Sequence, residues 1–289
     1  MAKGSQFWGS ASGKLGEQVL YRAGGEQRAR AYVKNIKNPK TIAQMRNRIV
    51  MGNLVAVFDA LRPIIRNSFT NRATNQSGWN AFVKANKKID TPIIDPAFNG
   101  TGISVPYNML VSKGNVQTPP IARFLLEEDS YEYGIPFDKP ISDGEYQGIG
   151  ALNANNFKDM LQMLNLPETA KMTVISATFE DEGFELQYVT VDSASISALS
   201  KLNLTFQVKE SNNADGGLYL KLSADNPSLM LGVIFSYSDG EGKLQVSTSR
   251  ITLMSTTLDY VESYLPGGEI YERVLEKAVA ASANVLATK

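Results

Sequence analysis

The chain has 289 residues, 43% hydrophobic and 20% charged, with 29 basic and 29 acidic side chains, no histidine and no cysteine. This is the make-up of a folded globular protein of about two domains. The two missing residue types exclude Ser-His-Asp and Cys-His nucleophile systems, zinc fingers, thiolate metal sites and disulfides.

The first residues, Met1 to Trp8, lack the apolar run of a secretory signal, and the longest apolar stretch, around Leu229 to Phe235, is far shorter than the roughly 18 residues of a membrane span. A soluble, non-secreted chain is expected, and the sequons at Asn75, Asn99 and Asn203 read as chance matches. The neutral total hides a division. Residues 1–90 hold 16 basic against four acidic residues (+12), and residues 91–289 hold 13 against 25 (−12). Such asymmetry points to nucleic acid, a membrane or a complementary partner.

In chain order, residues 1–40 form a Gly-rich basic arm. Gln18–Arg22 and its echo Arg30–Lys34 predict two short strands joined across Gly24-Gly25. Asn38-Pro39 punctuates the chain, and Thr41-Ile42-Ala43-Gln44 has the spacing of a helix start. Val50, Leu54, Val57, Phe58 and Leu61 then fall on one helical face, ended or kinked at Pro63. A second helix is expected near Ser77, with Trp79, Phe82 and Val83 as core residues. Arg46 and Arg48 stand in the first turns of the first helix, against its dipole, and so suggest a partner.

From Thr91 to Pro120 proline and glycine become frequent, which predicts a linker and a domain boundary between a helical region, 41–90, and an acidic β-rich domain, 121–289. Within the latter, a short helix is expected over Asn155–Leu164. Three hairpins follow: Lys171–Phe179 with Phe184–Val191, Leu202–Lys209 with the strand of Leu218, Leu220 and Leu222, and Leu231–Ser238 with Lys243–Ser249. A helix over about Glu269–Thr288 closes the chain. The expected fold class is α+β: a basic hairpin arm and short helices, then a mainly antiparallel, sandwich-like β domain and a C-terminal helix.

Few motifs carry chemistry. Gly9-Ser10-Ala11-Ser12-Gly13-Lys14-Leu15 fails as a phosphate loop, with one residue too few between its glycines and Leu15 where a hydroxyl must reach Mg²⁺. Glu127-Glu128-Asp129 and Glu180-Asp181-Glu182 lack an ordered oxygen-ligand spacing and read as solvated turns. No catalytic residue, metal ligand or cofactor is expected, and an enzyme using carboxylates alone is disfavoured. The functional lean is the N-terminal charge. Arg22, Arg28, Arg30, Lys34, Lys37, Arg46 and Arg48 are the candidate nucleic-acid contacts, since cations neutralise phosphates and release counterions. Tyr21, Tyr32 and Trp8 offer stacking faces, and Val19, Leu20, Tyr21 and Tyr32 are the candidate apolar part of an interface. The absence of a sequence-reading motif predicts sequence-tolerant binding.

Gly13-Lys14-Leu15-Gly16, the basic aromatic strand after it, and Asn38-Pro39-Lys40-Thr41 with Gln44 and Arg48 resemble the start of an uncharacterised domain family of gut Bacteroides-group bacteria and their bacteriophages. Asn80-Ala81-Phe82 and Leu110-Val111-Ser112-Lys113-Gly114 continue the likeness, which spans roughly residues 4–115 and returns at Gly242–Thr248. It implies a non-enzymatic phage virion component, made in the host cytoplasm. Its expected partners are nucleic acid or other virion proteins, with no membrane, and the chain is expected to form homo-oligomers. The alternative expectation is a capsid-decoration or glycan-binding module anchored by its N-terminal arm.

Overall fold

The computed structural model describes residues 12–23, 25–34, 41–88, 90–98, 100–127, 130–137, 150–180, 183–202, 204–210, 218–224, 230–253 and 259–287. The chain divides into two compact units, Met1–Thr41 and Ile42–Lys289.

The first unit is an antiparallel sheet of strands β1 (Gly13–Leu15), β2 (Gln18–Ala23) and β3 (Glu26–Ala31), in that spatial order. The expected β2 is present, but its partner begins four residues earlier than Arg30. The turn accounts for the difference. Ala23 pairs with Glu26 across two glycines, and Gly25 has a φ of +82°, the left-handed conformation a tight hairpin requires. This short loop lets every residue of β2 find a partner, which the expected longer loop would not. β1 was not expected; it pairs Leu15 with Gln18 across Gly16-Glu17. None of the described residues of this unit is fully buried.

The second unit opens with α1 (Ile42–Ala60), starting directly after Thr41 as its spacing predicts, and burying Val50, Leu54 and Val57. It gives way to α2 (Arg62–Ile65), with Pro63 in the first turn, where the missing N–H costs no helical bond. α3 (Gly78–Asn86) is capped by the Ser77 hydroxyl, which accepts the Asn80 N–H at 3.2 Å. Phe58, Trp79 and Phe82 pack edge to face or tilted, Phe58 and Trp79 with centroids 4.9 Å apart. Phe82 is buried in the core and Phe58 and Trp79 pack against it, as expected.

Residues 91–120 are not a linker. They contain β4 (Ile103–Ser104) and β5 (Leu110–Ser112), and Ile93, Ile94, Val105, Met109, Leu110 and Val111 are all buried. Two asparagines bring this irregular backbone into the core. Asn53 of α1 donates to Pro92 O (3.0 Å) and Val105 O (2.9 Å) and accepts from Val105 N (2.8 Å). Asn86 of α3 donates to Phe82 O and Leu110 O and accepts from Leu110 N at 2.7 Å. Each amide supplies hydrogen bonds that a neighbouring strand would otherwise have to make.

The chain continues with β6 (Ala122–Glu127), β7 (Ser130–Phe137), β8 (Gly150–Ala151), α4 (Ala154–Met163), β9 (Lys171–Glu180), β10 (Gly183–Val191), β11 (Leu204–Glu210), β12 (Leu218–Ala224), β13 (Met230–Ser238), β14 (Leu244–Val246), β15 (Ser249–Arg250), β16 (Thr252–Leu253), α5 (Asp259–Glu262) and α6 (Glu269–Ala287). The three expected hairpins form with the expected partners: β9 with β10, β11 with β12, and β13 with β14. One sheet runs β14-β13-β9-β10-β4 with β16 also on β13; a second runs β6-β7-β12-β11-β8; β15 pairs with β5. The fold is mixed α+β, with an antiparallel β-rich part and a C-terminal helix, as the patterning implies.

The first of these sheets is buried on both faces. Ile175, Ala177, Phe184, Leu186, Met230 and Ile234 join a core with α1, α3 and α6. Met172, Val174, Val191, Leu231, Val233 and Phe235 join a second core with α4 and the other sheet. Alternation along each strand divides the two sets, and burial on both sides explains the near-continuous apolar runs of β9 and β13. The helical region 41–90 and the β region 121–289 therefore share one core, and the boundary expected between them is absent.

Candidate nucleic-acid interface

Residues paired in an antiparallel ladder show their side chains on the same face of the sheet. In the N-terminal unit one cross-strand row is Lys14–Val19–Arg30, and the next contains Tyr21 and Arg28. Three cations thus share a face with Tyr21. The opposite face carries Leu15, Gln18, Leu20, Arg22, Gln27, Ala29 and Ala31. Strand spacing puts the backbones of Lys14 and Arg30 about 10 Å apart, on either side of the line from Val19 to Tyr21.

The cations rest against aromatic rings and a carboxylate. Arg30 Cζ is 6.0 Å from the Tyr21 ring centroid and Lys14 Nζ is 3.9 Å from that of Tyr32. Arg28 Nη2 lies 3.5 Å from Glu26 Oε2, both exposed, an ion pair that water screens. Tyr32 is itself 39% exposed and its N–H donates to Glu17 O, extending the ladder past β3. Residues 1–41 contain eight basic residues and two acidic ones, Glu17 and Glu26, so the unit's field is positive.

Within the first unit the candidate cations divide between the two faces of the sheet. Arg28 and Arg30 share the face just described, while Arg22 belongs to the opposite face because it alternates with Tyr21 along β2. Lys34 is exposed just beyond β3, and Lys37 lies outside the described residues, as does Trp8. Arg46 and Arg48 belong to α1 of the second unit. Arg46 Cζ sits 5.7 Å from the centroid of Tyr271 on α6, and Arg48 Nη1 approaches Met45 Sδ at 3.8 Å. Burial pushes the Tyr271 phenol up, against the pull of Arg46, so the ring stays neutral beneath the guanidinium.

The candidate apolar interface divides as well. Val19 and Tyr21 lie among the cations, Leu20 is behind them, and Tyr32 stands at the end of the sheet beside Lys14. Lys14 was missed. Its signal is the turn Gly16-Glu17, which folds Gly13–Leu15 back onto β2 and makes the supposed loop a strand.

In the second unit an open groove of about 740 Å³ lies beside Asn115, Gln117, Thr118 and Thr248, with Val116 and Pro119 also in its lining. The acidic turns at 127–129 and 180–182 lie partly outside the described residues. Among the described residues no group of three or more carboxylates stands together as a metal site, and no helix is long and apolar enough to cross a membrane. Compared with protein-family models, curated proteins and solved structures, the chain matches none of them.

Proposed function

We propose that the protein is a non-enzymatic structural component of a bacteriophage virion whose N-terminal sheet holds nucleic acid without reading its sequence. The observation that carries the nucleic-acid contact is the alignment of Lys14, Arg28 and Arg30 around Tyr21 on one sheet face. The virion setting, and with it a homo-oligomeric assembly made in the host cytoplasm, rests on the family resemblance of residues 4–115. Cations at this spacing neutralise phosphates, and the aromatic ring between them favours nucleic acid over an acidic protein neighbour.

Three phosphate contacts give log K a slope of about −2 against log salt on a single strand, and Lys34 steepens it. Arg28→Ala and Arg30→Ala should each flatten the slope by about 0.7, while Arg22→Ala, on the opposite face, should leave it unchanged. Oligonucleotide anisotropy across a salt series measures this. Equal effects of all three substitutions, or no salt dependence, would sink the assignment. Mass spectrometry of purified particles tests the virion setting.

A further inference from the structure

We propose that the ligand of this face is single-stranded nucleic acid, held by stacking of a base on Tyr21 between two edges of cations; the proposal rests on the polyanion reading above. The geometry of the three-stranded sheet favours a single strand over a duplex. The cations stand on the two outer strands, Lys14 on β1 and Arg28 with Arg30 on β3, while the central strand presents Val19 and Tyr21. This is a gutter: a floor of Val19, Tyr21 and Ala23 between walls about 10 Å apart, which carry the three cations and, opposite Ala23, Glu26 paired with Arg28. A single strand laid along β2 would place its bases on the floor and its phosphates against a wall.

A duplex fits poorly. Its bases are sealed in the stack, so an aromatic ring on a flat face meets only sugar and phosphate and contributes no stacking. A two-stranded ribbon enters the major groove, but a third strand brings the backbone width alone to about 10 Å in a groove about 12 Å wide, before side chains are added. Arg30 Cζ lies over the Tyr21 ring, 6.0 Å from its centroid, so a base would stack on the ring by displacing that guanidinium, which then takes its phosphate. Tyr32, with Lys14 at 3.9 Å, repeats the pairing of ring and cation at the far end of the face. Two such pairs in one small sheet point to two stacked nucleotides. No side chain in either pair discriminates among bases, so the binding tolerates any sequence.

The experiment uses the full chain and three labelled probes at one salt concentration: oligothymidylate of about 12 nucleotides, the same strand annealed to its complement, and inorganic polyphosphate of matched charge. Oligothymidylate should bind most tightly. Tyr21→Ala should weaken it about tenfold and leave polyphosphate binding unchanged, which also shows that the sheet still folds; Tyr21→Phe should bind like the parent. Duplex bound as tightly as the single strand, or polyphosphate bound as tightly with Tyr21→Ala neutral on every probe, overturns the single-strand proposal and leaves the polyanion reading standing. Failure to bind any of the three probes at low salt overturns both.

Discussion

Two buried asparagines do more for this fold than their residue type suggests. Asn53 falls on the stripe with Val50, Leu54 and Val57, and Asn86 on the stripe with Trp79, Phe82 and Val83. A polar residue at an apolar position of the helical period is the one clue in the sequence. It signals a buried partner, although which backbone it meets lies 24 to 52 residues away and is set only by the fold. Asn53 satisfies three backbone groups of the 91–105 segment. Removing it leaves buried groups without partners at about 1–3 kcal/mol each. Asn53→Leu should therefore cost on the order of 3–5 kcal/mol in urea denaturation, despite adding apolar volume. A loss below about 1 kcal/mol would mean that the segment's hydrogen bonds are made elsewhere.

Among the elements, the three hairpins after residue 170, closed by local turns, were legible, and the 91–120 stretch, closed by distant packing, was not. The three hairpins of the β-rich part and the helices at Ile42, Gly78, Ala154 and Glu269 follow from alternation, helical period and caps, all carried within about 20 residues. In the N-terminal sheet only β2 was legible: β1 was not expected, and β3 was placed four residues late because Arg30-Ala31-Tyr32-Val33 alternates as convincingly as Glu26–Ala31 and only the length of the turn decides between them. The 91–120 stretch misled for a different reason. Its prolines and glycines are those of an exposed linker, yet its carbonyls and N–H groups are taken up by Asn53, Asn86 and β15. At Gly114 this packing leaves no room for a Cβ, which would overlap Val246 O.

A carboxylate also ties that stretch to α6. Asp95 Oδ2 meets Lys277 Nζ at 3.2 Å, and Asp95 Oδ1 accepts the Ala97 N–H at 3.0 Å. Burial alone would raise the Asp95 carboxyl, but the Ala97 N–H together with Lys277 and Arg273 holds it below the usual carboxylate value of 3.8. A carboxylate lowered on folding contributes stability above its unfolded value and loses it as pH falls through the folded one. Asp192, held by the Ser195 hydroxyl, and Asp239, held by Gln245, are lowered too and act in the same direction. Asp95→Asn should be less stable than the parent at pH 7 by up to about 1 kcal/mol, since Lys277 is largely exposed, and the gap should narrow as pH falls from 3.8 through the lower value held in the fold. A gap independent of pH would show that the contact works by shape and not by charge.

At the scale of the molecule, the second unit stands or falls as one piece. Fourteen of the 25 buried residues in the helix-side core, from Ile49 to Val111, precede residue 116. A chain of residues 116–289 would keep the strands of the doubly buried sheet but bare Ile175, Phe184, Leu186, Met230 and Ile234 on one side. Burial of each is worth about 1.5–3 kcal/mol, so together they match the roughly 5–15 kcal/mol by which a domain is stable at all. That fragment should show no cooperative melt and should bind a hydrophobic dye. Residues 42–289 keep both cores entire and should melt cooperatively near the temperature of the full chain, because none of the described residues of the first unit is fully buried. The same truncation should abolish salt-dependent retention of oligothymidylate, as it removes Lys14, Tyr21, Arg28 and Arg30 together. Differential scanning calorimetry of the two fragments beside the full chain decides the matter. A cooperative transition from 116–289 would restore the boundary that the Pro/Gly tract suggests, and would mean that the apolar face of β9, β10 and β13 is satisfied without α1.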